Sequence, residues 1–175
     1  MLLASQIALA KAGAFCAIGL AACGSAYGCG VAGAAAIGSW KKCYIQGKDA
    51  PFQLAILTGV PMSQTIYGLI LMLMIVNKAV AATAYSWPSF LFMGIIGGAA
   101  IAMSAAFQGR AAAGACDALV ESGQGFVNYL IALGVIETIA IFVMVFAILL
   151  LGKIGPEAEV ATKAAVEAIR PVLLA

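Results

Sequence analysis

The sequence predicts an all-α membrane protein, four transmembrane helices arranged as two tandem hairpins and packed into a homo-oligomeric ring. Three observations carry the first part of that reading. The 175 residues are 65% hydrophobic and only 9% charged, whereas a soluble domain carries roughly a quarter charged residues. Four apolar runs, at residues 12–39, 52–76, 87–107 and 126–151, each exceed or match the ~20 residues a helix needs to cross hydrocarbon. Polar breaks separate them. Lipid offers no hydrogen-bond partners, so isolated spans of this kind must be helices. An even number of spans places both termini on one side.

Residues 1–80 form the expected first hairpin. Its first run is rich in Gly, Ala and Ser, with Gly24, Gly28 and Gly33 at near-helical spacing. Leu20-Ala21-Ala22-Cys23 matches a lipoprotein cleavage box, but Lys11 follows an apolar stretch instead of preceding one, the wrong order for a signal. Cys16, Cys23, Cys29 and Cys116 lie in apolar runs, and Cys43 in what reads as a polar loop. With no CxxC pair they read as small apolar fillers. Lys41, Lys42, Lys48, Asp49 and Pro51 mark the first loop, and the second run, richer in Leu, Ile and Met, follows.

Residues 81–152 form the expected second hairpin. Asn77, Lys78, Tyr85, Ser86 and Pro88 mark the loop before it. Its first run again carries small residues, Gly94, Gly98 and Gly109, and should continue as helix to Cys116. Asp117, Glu121, Ser122, Gly123 and Gln124 mark the third loop, and the last run is again large and aliphatic. Residues 153–175 read as an amphipathic tail, helical over 156–170 and solvated or interfacial. Small residues let helix backbones approach closely, and bulky ones suit lipid. The repeated order of tight helix then lipid helix suggests a duplicated hairpin. It fits a ring with narrow helices inside, and also any compact four-helix bundle.

Charge excludes several functions. The net charge of +2 gives no footprint for nucleic acid, and the absence of His removes the commonest metal ligand and general base. No cofactor is expected. Lys41, Lys42, Lys48 and Arg110 favour the side of loops one and three as cytoplasmic, while Lys11, Lys78 and Lys153 oppose it.

The chemistry concentrates in a few polar residues. Glu137 is the one acidic residue well inside a run, and an ionisable group at that depth marks a functional site by default. In the second run Val60, Ser63, Gln64 and Tyr67 share one helical face. Pro61 removes a backbone donor and should free a carbonyl near Leu57. Gln108 adds an amide in the third run. Carboxylate, hydroxyl, amide and carbonyl oxygens suit a hard cation. One carboxylate neutralises one monovalent ion.

Gln64-Thr-Ile-Tyr-Gly68 falls in register with Glu137-Thr-Ile-Ala-Ile141. With Pro-x-Ser-Gln-x-x-Tyr in the second run, Gln-Gly-Arg in the third and Ile-Glu-Thr in the fourth, residues 1–152 resemble the double-hairpin proteolipid subunit, called c or K, of V-type and bacterial or archaeal A/V-type rotary ATPases. The resemblance implies an ion held by Glu137, Ser63, Gln64, the Val60 carbonyl and Gln108, with Tyr67 locking the carboxylate. Ser63 stands where Thr is frequent and Met62 where Gly is frequent. The full polar set implies sodium, with the proton as the alternative. It further implies a ring of identical copies bordered by lipid and a stator subunit with a membrane Arg. Central-stalk subunits would meet the loops near 41–48 and 117–124. The chain itself would hydrolyse nothing. Outside that family, a small secondary transporter using one membrane carboxylate or a purely structural pore would fit four spans. A transporter needs a substrate cavity at Glu137, and a structural pore leaves the polar cluster idle.

Overall fold

The computed structural model describes residues 2–79 and 86–154, together with Glu167 and Arg170. Among them four helices are long and apolar enough to cross a membrane. They are α1 (Leu2–Ile45, 44 residues), α2 (Gln53–Ala79, 27 residues), α3 (Trp87–Ser122, 36 residues) and α4 (Phe126–Leu151, 26 residues). A short 3-10 turn, Val60–Met62, interrupts α2 where Pro61 cannot donate. The expected tail helix lies outside the described residues apart from Glu167 and Arg170, both helical and exposed.

The most extensive contact joins α1 to α3. It is a contact of backbones. A Cβ on Gly24 would strike the backbone of Ala102, one on Gly28 that of Ala105, and one on Gly109 that of Gly28. A Cβ on Gly98 would lie 2.6 Å from the Cys16 carbonyl oxygen. Positions rise together on both helices, so α1 and α3 run parallel. Gly33 differs from the expectation for its run: its nearest neighbour is the Thr58 methyl of α2, at 3.4 Å. Gly68 of α2 also packs on α1, where a Cβ would lie 2.6 Å from Ala21 Cβ. By contrast α4 keeps only Leu133, Ala140 and Leu151 buried and turns large aliphatic side chains outward.

Helices of 44 and 36 residues are about 66 and 54 Å long at 1.5 Å per residue, well beyond a hydrocarbon core of about 30 Å. The two therefore project from the membrane, and this revises the expected loops. Lys41 and Lys42 belong to α1, Asp117 and Glu121 to α3, and Cys43 is helical and buried. The reason is a polar collar at the paired ends. Buried Ser39 donates to Asp117 at 3.0 Å, and Lys42 reaches Asp117 at 3.8 Å and Glu121 at 3.5 Å. Charged residues here extend the helices instead of ending them. The third connection shrinks to Gly123, Gln124 and Gly125, where both glycines adopt positive φ, 69° and 88°.

Two apolar clusters fill the bundle. One contains Ala21, Leu71, Ile101 and Ala140, and the other Ala32, Leu57, Ala112 and Leu133. Between those bounds every helix carries polar residues: Ser25 on α1, Gln64 on α2, Ser104 and Gln108 on α3, Glu137 on α4. The fold thus encloses one polar layer at mid-bundle.

Candidate functional site

Within this layer the predicted residues form one hydrogen-bonded chain. Ser63 Oγ donates to the Val60 carbonyl at 3.1 Å and also lies 3.2 Å from Gln64 Oε1. Gln64 Nε2 donates to Gln108 Oε1 at 2.6 Å. Gln108 Nε2 donates to the Leu133 carbonyl at 2.9 Å and reaches Glu137 Oε2 at 3.5 Å. Tyr67 OH donates to the other carboxylate oxygen, Oε1, at 2.6 Å. All six residues singled out from the sequence meet here.

Local folding explains the convergence. Pro61 tightens the chain into the 3-10 turn, whose last bond runs from Ser63 N–H to the Val60 carbonyl. This sets three oxygens side by side, from Val60, Ser63 and Gln64. The carbonyl brought into the cluster is therefore that of Val60, one turn further along than the Leu57 carbonyl that loss of a proline donor alone points to. Gln64 and Gln108 are fully buried, where an unpaired amide would be costly. One bond joins them, Ser63 meets the Gln64 oxygen, and the Leu133 carbonyl accepts from Gln108. Tyr67 and Glu137 are part-buried in the isolated subunit.

Ser104 escaped the sequence reading. It is 5% exposed and donates to the Ile136 carbonyl at 2.9 Å. Its position one turn before Gln108, on the same face, was the available signal. Thr138 contributes nothing to the cluster, for its hydroxyl turns back to the Val135 carbonyl at 2.7 Å.

A single carboxylate, two amides, two hydroxyls and a carbonyl offer hard oxygen donors with one negative charge. No group of three or more acidic, Cys or His side chains able to hold a metal occurs among the described residues. The donor set therefore matches a monovalent cation or a proton better than a divalent metal, which collects several carboxylates. Two cavities lie between α3 and α4. One of about 570 Å³ is lined by Phe92, Ile96, Val143 and Phe146 among others, and one of about 190 Å³ by Ala111, Gly114, Tyr129 and Leu133 among others. Neither includes Glu137, so neither supplies the substrate chamber that a transporter would need there.

Fold and site together define an integral, multi-pass, all-helical membrane protein with one carboxylate in its polar layer. Residues 91–150, almost the whole of the second hairpin, match the family model for the C subunit of ATP synthase. Glu137 lies inside the matched stretch. No curated protein matches the chain.

Proposed function

We propose that the chain is a rotor-ring subunit of a V- or A-type ATPase that carries sodium, or alternatively a proton, across the membrane. The reading deepens the family match, since the rings built by that family translocate ions without being catalytic themselves. The observation that carries it is the clasp on Glu137, with Tyr67 on one carboxylate oxygen and Gln108 on the other. A loaded carboxylate is neutral overall and can face lipid. An unloaded one is charged and needs a cation, the stator's membrane Arg, beside it. Rotation past that Arg exchanges the ion between two access paths. Each charge moved exchanges about 2.3 kcal/mol per 100 mV with the membrane potential. Several must therefore be summed for each ATP, which a ring of identical copies achieves. The second hairpin keeps the acid and the first keeps Gln64 in its place, so each copy carries one ion. Central-stalk subunits would dock where α1 and α3 project.

Dicyclohexylcarbodiimide, which attacks a protonated carboxyl in apolar surroundings, tests the reading. Glu137 is expected to label selectively, and sodium to suppress the labelling across a range of pH. Selective labelling indifferent to sodium would make the proton the cargo. Reactivity no greater than that of Glu121 would overturn the site.

A further inference from the structure

α4 has little with which to define its own position. Its fully buried residues are Leu133, Ala140 and Leu151, a few others such as Tyr129, Leu130 and Val143 pack partly buried against the core clusters, and its exposed face is mostly large and apolar. Between lipid-facing apolar helices, packing alone leaves rotation and sliding weakly determined, and polar contacts fix them. Among the described residues α4 is tied to its neighbours by four kinds of hydrogen bond. Tyr67 and Gln108 bind Glu137, Gln108 binds the Leu133 carbonyl, and Ser104 binds the Ile136 carbonyl. The first three use groups of the proposed ion site, which must re-form each time an ion enters or leaves. The Ser104 bond uses none of them.

We infer that Ser104 is a positioning residue that holds α4 in register on α3 while the carboxylate is unloaded. The inference rests on the proposed ion reading for its purpose, but its geometry stands apart from it. Ser104 and Gln108 lie one turn apart on α3, and their acceptors Ile136 and Leu133 lie nearly one turn apart on α4. The pair forms a two-rung ladder. Releasing Gln108 leaves the Ser104 rung, anchored at the residue immediately before Glu137. The carboxylate then swings on a fixed base and returns to the same oxygens.

Ser104→Ala removes the hydroxyl with little change in volume and favours helix, and Ser104→Thr retains the hydroxyl. Hydrogen–deuterium exchange of α4 amides in sodium-free purified protein is the first readout. Ser104→Ala is expected to speed exchange around residues 133–141 about fivefold, the effect of one net hydrogen bond, with α1 unchanged and Ser104→Thr close to wild type. The sodium concentration that half-protects Glu137 from the carbodiimide should rise by a similar factor in Ser104→Ala alone. Unchanged exchange in Ser104→Ala, or equal disturbance by Ala and Thr, would overturn the inference. If sodium fails to protect even the wild type, the ion assignment falls, and the exchange comparison still decides the role of Ser104.

Discussion

Tyr67 and Gln108 grip different oxygens of one carboxylate, and they do so unequally, at 2.6 Å and 3.5 Å. The shorter bond should dominate retention of the carboxylate. Tyr67→Phe is expected to raise the sodium concentration for half-protection of Glu137 by about tenfold or more, since a bond to a charged group is worth about 1.5–3 kcal/mol. Carbodiimide protection curves of the two proteins check this. Glu137→Gln should abolish sodium binding outright, measured with radioactive sodium on purified protein, because no other carboxylate lies in the layer to balance the ion. At this scale the sequence was highly legible. An acid in an apolar run and a polar face at helical spacing stand out against an aliphatic background. Ser104 was harder to read, because a Ser among Gly and Ala, even one turn from Gln108, reads as packing until its acceptor on another helix is known.

Among the helices, the α1–α3 pair depends on contacts that leave no room for a side chain. Gly109→Val should therefore prevent a stable fold or lower the melting temperature sharply, because the Gly28 backbone cannot move aside. Gly30→Ala is the matched control. Nothing lies within 4 Å of its would-be Cβ, so a helical Ala there should stabilise by about 0.5–1 kcal/mol. Thermal melts of both variants decide the matter. At the collar the order of effects is set by burial. Asp117→Ala strands the fully buried Ser39 hydroxyl and should cost about 1–3 kcal/mol. Lys42→Ala breaks only half-exposed ion pairs and should cost less than about 1 kcal/mol. Apolar run lengths located all four spans, yet α1 begins ten residues before its run and α3 ends six residues beyond the expected Cys116. Hydropathy marks where lipid stops, and α1 and α3 continue past that point because they support each other in water.

As a whole, the molecule joins a glycine-rich seam between α1 and α3 to a broad aliphatic surface on α4, and the proposed ring would turn that surface to lipid. Native mass measurement in mild detergent should find a discrete oligomer, and a stable monomer would count against closure. The same asymmetry has a consequence for descent. On the outer surface of α4 almost any aliphatic side chain serves as well as another, so substitutions there are nearly free to accumulate. Where α1 touches α3, each glycine is hemmed in by the other helix's main chain, an obstacle that no substitution on the opposite helix removes. Lineages carrying this protein should therefore drift apart in the letters that face lipid while the seam between the two long helices stays nearly frozen.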